Sequence, residues 1–249
     1  SELTIGNVLH AIMEHLYAPF VGKNVTATDI EYLLAQANDD TYWHALEPLQ
    51  QLCGDGLANR VVRTYVNNIL RNDHHHAPFQ YVASETRLSA QLNDVWLYGF
   101  ADRIDLKANA LRVIDYKTGK TDLAYENMAK VFGVVEPTEE GVIPVRTKGQ
   151  RQILQTLLYC WMYTANCQLS TATCHQPYIF SARNIAPEDM PVVHHNNQPL
   201  SFQDVEQEFL THLQSLIEEI LDANQPFAPT SDKHTCESCA FLSLCHATH

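Results

Sequence analysis

The chain of 249 residues reads as an α/β protein with a mixed central sheet flanked by helices, and three observations carry that reading. Ile5, Val8, Leu9, Ile12, Met13 and Leu16 recur at helical spacing near the start, and Phe202, Val205, Phe209, Leu213, Leu216 and Ile220 do so near the end. Three strand-like runs follow one another in the first half, joined by Asn93-Asp94 and Ala108-Asn109, which suit tight turns. A helical stretch and one more strand come next, so the order is helices, antiparallel meander, helix, strand, helix.

The elements follow in chain order. Residues 4–17 form an amphipathic helix, with His10 on the flank of its apolar stripe. A second helix is expected over Asp29–Ala37, with Thr28 and Glu31 at capping-box spacing, and a third over Leu57–Leu70, ended by His74-His75-His76 and Pro78. Strands are expected over Gln80–Leu88, Val95–Leu106 and Leu111–Tyr116. Residues 120–147, with two prolines and Glu136, Glu139 and Glu140, read as a long surface loop. Gly149–Ala165 is apolar nearly all round, as a helix packed on a sheet would be. Gln176–Ala182 is a strand, and Ser201 opens the last helix, which stops near Pro226. Residues 1–225 therefore form one domain, and residues 226–249 a polar tail ending in a cysteine cluster.

Composition narrows the function. With 45% hydrophobic residues the chain is globular, and no apolar run approaches the length of a membrane span. No signal peptide opens it, so a cytoplasmic protein without a membrane partner is expected. Seven cysteines in a chain of this size point to free thiols or metal ligands rather than a disulfide framework. No Gly-x-Gly-x-x-Gly and no P-loop is present, which excludes nucleotide binding of those kinds. Sixteen basic against 29 acidic residues give a net charge of −13, which argues against tight autonomous DNA binding. The start at Ser1-Glu2-Leu3-Thr4 suggests a piece of a longer polypeptide.

The chemistry is concentrated in residues 99–119. Asp102 precedes the triplet Asp115-Tyr116-Lys117, which closes a buried strand before Thr118-Gly119. Period two puts Asp115 and Lys117 on one face. A carboxylate that can hold a divalent cation beside an ammonium that can orient water and offset phosphate charge is what phosphodiester hydrolysis requires. Asp105, at an odd offset from Asp102, faces the other way and is expected to pair with Arg103 or a neighbouring turn.

Gly6-Asn7-Val8-Leu9-His10, Gly99-Phe100-Ala101-Asp102-Arg103-Ile104-Asp105, Asp115-Tyr116-Lys117-Thr118-Gly119 and Gln155-Thr156-Leu157-Leu158-Tyr159 occur in that order. With the tail Cys236, Cys239 and Cys245, they make the chain resemble the nuclease domain of the RecB and AddB type within the PD-(D/E)xK superfamily. The resemblance implies a restriction-endonuclease-like core. It implies a Mg²⁺-dependent DNA exonuclease, with Mn²⁺ as a substitute, working with a helicase subunit or a helicase-like region of the same parent chain in double-strand break repair and recombination. His10, Asp102, Asp115 and the main-chain carbonyl of Tyr116 would hold the metal, and Lys117 would position the attacking water. Gln155 and Tyr159, at i and i+4 on one helix face, would steady the site or touch the DNA backbone, or simply pack helix against sheet. Glu85 would be an accessory carboxylate.

Cys236, Cys239 and Cys245 would hold a 4Fe-4S cluster, whose fourth cysteine in the family lies upstream of the first helix, where this chain has none. Cys53, Cys160, Cys167 and Cys174 read as buried small hydrophobes. A zinc site completed by His234, His246 or His249, or a tail without metal, competes with the cluster. A nuclease-like scaffold that binds DNA or a protein without cleaving it is the alternative function.

Overall fold

The structure, a computed structural model, describes residues 2–50, 56–133, 148–166, 174–226, 236–237 and 239–242. Its elements are α1 (Glu2–Tyr17), β1 (Asn24–Val25), α2 (Ala27–Asn38), α3 (Asp40–Ala45), α4 (Glu47–Gln50), α5 (Gly56–His76), β2 (Phe79–Leu92), β3 (Val95–Lys107), β4 (Ala110–Lys117), α6 (Met128–Phe132), α7 (Lys148–Asn166), β5 (Cys174–Ser181), β6 (His194–His195), β7 (Gln198–Pro199) and α8 (Phe202–Leu221).

Strands β1 to β5 form a sheet in sequence order. β1, β2, β3 and β4 pair antiparallel, and β5 joins β4 in parallel through the α7 crossover, giving the mixed α/β sheet that the sequence predicts. Helices cover both faces. Val8, Leu9 and Ile12 of α1 and Val62, Val66 and Ile69 of α5 pack with Ile114, Tyr116 and Phe180 on one side. Ile153, Leu157 and Cys160 of α7 and Phe202 and Phe209 of α8 pack with Leu111, Val113 and Ile179 on the other. Alternation along β4 is regular, so Asp115 and Lys117 continue the Leu111 and Val113 row toward α7.

Several boundaries differ from the sequence reading. The N-cap of α2 is Thr26, not Thr28. Its hydroxyl accepts from the Asp29 N–H while the Asp29 carboxylate accepts from the Thr26 N–H, a reciprocal box two residues earlier. α5 runs on through His74-His75-His76 instead of breaking there. Asn72 is buried and donates to the carbonyls of Ala186, Pro187 and Asp189, which ties this last turn to the loop after β5. The expected loop over 120–147 contains the short helix α6. It is capped by Asn127, closed by Gly133 in the left-handed region, and anchored by buried Met128, Val131 and Phe132; residues 134–147 lie outside the described residues. Ser201 does precede α8, but its hydroxyl donates to Gln203 and caps no backbone N–H.

Beneath the sheet, on the α1 and α5 side, lies a buried ionic network. Asp105 accepts from Arg103 Nε at 2.8 Å and from Arg112 Nε at 2.5 Å, and Arg103 Nη1 donates to Asp73 at 2.7 Å. The Arg103 guanidinium is enclosed by the rings of Tyr17, Phe79 and Tyr81, at 5.0, 4.6 and 5.3 Å. Two carboxylates and two guanidinium groups balance, which makes their burial tolerable. Asp105 thus pairs with Arg103, one of the partners expected for it.

Candidate active site

The β3 and β4 ladder ends at Arg103 and Ile114, and the strands part just beyond. Asp102 occupies this fork. Its Oδ2 accepts the main-chain N–H of Tyr116 at 2.6 Å, replacing the ladder bond that the divergence removes. Asp115 stands beside it on β4. Both carboxylates are almost wholly buried. Loss of water, and secondly the charge of Asp115, push the Asp102 carboxyl well above the usual carboxylate range. Burial also raises Asp115, against the opposing pull of Lys117.

Lys117 Nζ donates to Asp115 Oδ1 at 2.9 Å and to Gln155 Oε1 at 3.0 Å, and Gln155 Nε2 donates to the Tyr159 hydroxyl at 2.7 Å. The ammonium is therefore fixed between β4 and α7 by a chain of hydrogen bonds whose far end is a half-buried phenol. Tyr159 is held by close packing as well, since a Cβ on Gly99 would lie 2.6 Å from its Cε1. Placing Gln155 and Tyr159 on one helix face brings both to the site, and the bond to Lys117 makes their contact more than helix-sheet packing.

His10 reaches the fork from α1. Its Nε2 lies 3.2 Å from the Tyr116 carbonyl oxygen, so the neutral ring donates there and turns the Nδ1 lone pair toward Asp102 Oδ1 at 3.5 Å and Glu85 Oε1 at 3.6 Å. Burial lowers the His10 pKa and keeps that ring neutral near pH 7. Glu85 lies on β2 across from Asp102, between the pairs Ser84–Arg103 and Thr86–Ala101, with a left-handed φ of 43°. Burial, and then the charge of Glu14, raise its carboxyl.

Ligand atoms of His10, Glu85 and Asp102 all lie within 4.8 Å of one another. Three groups that each offer a lone pair converge in this way, an arrangement that suits a cation once the carboxyl groups are ionised. Asp115 Oδ2 is buried and lies 2.7 Å from Lys117 Nζ, so the ammonium spans both oxygens of that carboxylate. The donor set of carboxylate oxygens and one imidazole fits Mg²⁺ or Mn²⁺. Among the described residues Glu85 groups with His10 and Asp102, while Lys117 holds Asp115 and the Tyr116 carbonyl accepts from His10.

A chain with this fold, two buried carboxylates on diverging strands and a lysine two residues after the second has the ground plan of a metal-dependent nuclease, and residues 1–246 match the family model of the PD-(D/E)XK nuclease superfamily. The chain belongs to the PD-(D/E)XK nuclease superfamily. Comparison with curated proteins and with solved structures finds no significant match. Members of this superfamily are generally nucleases that use divalent metal ions.

Sequence reasoning passed over Lys148 and Arg151. They precede Gln155 and Tyr159 by helical spacing and share their face of α7, and a Cβ on Gly119 would lie 3.0 Å from Lys148 Nζ. Arg151, with Leu97, Gln155 and Tyr159, lines a cleft between β3 and α7. In the tail, Cys236 is buried and Cys239 exposed, with the Cys239 N–H donating to the Cys236 carbonyl at 3.0 Å. Cys245, Cys53, Cys167, His234, His246 and His249 lie outside the described residues. Cys160 is wholly buried and burial raises its thiol pKa, as befits a small core hydrophobe.

Proposed function

We propose that this PD-(D/E)XK protein is a Mg²⁺-dependent DNA exonuclease of the RecB and AddB type. The observation that carries the reading is the Lys117 ammonium, held by Asp115 and Gln155 beside the His10, Glu85 and Asp102 cluster. His10, Asp102, Asp115 and the Tyr116 carbonyl would hold the ion, with Glu85 as accessory carboxylate. When bound, the ion supplies Lewis-acid polarisation of the phosphoryl oxygen and lowers the pKa of water.

The protein's own groups do the rest. Lys117 orients the attacking water and offsets the negative charge that grows on phosphorus-bound oxygen. Gln155 gives the ammonium a second anchor beside Asp115, and Tyr159 fixes Gln155. Lys148 and Arg151 extend positive charge along α7 for the phosphates of the bound strand. Working with a helicase subunit or helicase-like region, the domain over residues 1–225 would digest DNA in double-strand break repair and recombination. Residues 226–249 would carry three thiolates of a 4Fe-4S cluster, for which the Cys236 and Cys239 turn is a fitting start.

The test is digestion of linear and covalently closed circular DNA with Mg²⁺. The reading expects linear DNA to be degraded and closed circles to resist. The net charge of −13 leaves open a second reading, a scaffold that binds DNA or a partner protein without cleaving DNA. Binding of DNA without digestion at any Mg²⁺ or Mn²⁺ concentration would establish that one instead.

A further inference from the structure

β2 and β3 extend well past β4. β4 pairs only with Arg103–Lys107, so the outer half of the hairpin, Thr86–Leu92 with Val95–Ala101, projects beyond it. One face of this projection is covered: Leu88, Ala90 and Ala101 are buried in the α7 core, and Leu97 packs against it. The other face carries Trp96, Tyr98 and Phe100, which are 63, 68 and 52% exposed. Three large rings in a row on an open sheet face need a reason.

Their surroundings supply one. Across the ladder Trp96 faces Gln91, Tyr98 faces Ser89 and Phe100 faces Arg87, so each ring has a polar partner. The Arg87 guanidinium lies 5.4 Å over the Tyr98 ring. A protein interface core would set apolar residues opposite one another. Rings alternating with hydrogen-bonding groups and a cation suit a polymer with flat faces and anionic links. Alternate side chains on a strand are about 6.8 Å apart, which is about twice the 3.4 Å rise of stacked bases, so a base can enter between neighbouring rings. The next alternate position after 96, 98 and 100 is Asp102, and Gly99 within this run packs against the Tyr159 ring. The row runs into the catalytic fork.

We propose that Trp96, Tyr98 and Phe100 form a stacking track for the bases of single-stranded DNA, with Arg87 on its backbone, that delivers the strand to the carboxylates. The inference rests on the nuclease reading and names its substrate class: a duplex keeps its base faces stacked internally, so the track selects single strands.

The test is fluorescence anisotropy of a labelled oligothymidylate with the full chain in EDTA, where no cleavage occurs. Replacing all three rings by alanine should weaken binding about a hundredfold or more, at about fivefold or more for each ring, with a melting temperature close to wild type because the rings are exposed. Trp96→Phe with Tyr98→Phe should restore most of the affinity of the alanine forms. Trp43 and Trp161 are buried, so quenching of tryptophan emission by the unlabelled oligonucleotide should report on Trp96 and vanish in Trp96→Phe. Unchanged affinity in the folded triple variant, absence of quenching, or equal affinity for a duplex of the same length would overturn the track. So would a change in oligomeric state on removing the rings, which would assign the face to a second copy. Cleavage is not read, so a protein that binds through the track but never digests DNA would refute the nuclease reading alone.

Discussion

Asp102 combines the two conditions that make a carboxylate expensive to ionise, burial and a second carboxylate beside it, and its bond from the Tyr116 N–H and the charge of Lys117 oppose them. Because its folded pKa is raised above the unfolded value of about 3.8, the contribution of Asp102 is most favourable below that value. It is lost as pH rises through the folded pKa. A divalent ion reverses the sign by requiring the ionised form. Mg²⁺ should therefore raise the melting temperature more at pH 8 than at pH 5.5, and Asp102→Asn should melt higher than wild type without metal at pH 8 while losing the Mg²⁺ response. A Mg²⁺ shift that is independent of pH would contradict the assignment. Of these residues, Asp115 and Lys117 were legible in the sequence because strand periodicity puts them on one face, and Asp102 because its strand directly precedes theirs. Glu85 was only an accessory there. Its place opposite Asp102 depends on the β-bulge after Tyr81 and on its own left-handed backbone, neither of which leaves a pattern in the chain.

Elements rather than single residues hold Lys117 in place. The contact of β3 with α7 is made close by Gly99, where a Cβ would strike the Tyr159 ring. Gly99→Ala should displace that ring, loosen Gln155, and lower kcat on the order of tenfold with little change in Mg²⁺ affinity, since His10, Glu85 and Asp102 are untouched. Steady-state kinetics with metal titration would check it, and wild-type turnover would show that Tyr159 plays no positioning part. Beneath the same strands, Asp105→Ala would strand Arg103 and Arg112 in a closed interior, at a cost of about 3–5 kcal/mol readable by urea denaturation. A loss under about 1 kcal/mol would mean that the network is open to water. Helix and strand identities were readable from periodicity, and α1, α7, α8 and the meander follow it. α3, α4, α6 and the β6 and β7 pair are too short for any period to declare itself, and they form because neighbouring elements bury one side of them.

At the scale of the whole molecule, a net charge of −13 coexists with a local set of cations, a loose row: Lys117 beside Gln155, Lys148 near Gly119, Arg151 in the cleft between β3 and α7, and Arg87 over Tyr98 on the hairpin. Composition could not reveal that row, because it sums charge without placing it. Four cations near the strand predict a log–log salt slope of about −3 for single-stranded DNA, at about 0.7 for each neutralised phosphate. A slope steeper than about −6 would require basic contacts elsewhere on the chain. The central claim, that carboxylates hold an ion while Lys117 acts on the reacting phosphate, separates into two roles that one experiment can read. Single-turnover cleavage of labelled DNA should be measured against Mg²⁺ concentration for wild type, Asp115→Ala and Lys117→Ala, with Mg²⁺ binding followed by calorimetry. The account predicts that Asp115→Ala loses both Mg²⁺ affinity and cleavage, whereas Lys117→Ala retains Mg²⁺ affinity and loses cleavage by about a hundredfold or more. Mg²⁺-dependent cleavage by Asp115→Ala at the wild-type rate would contradict it.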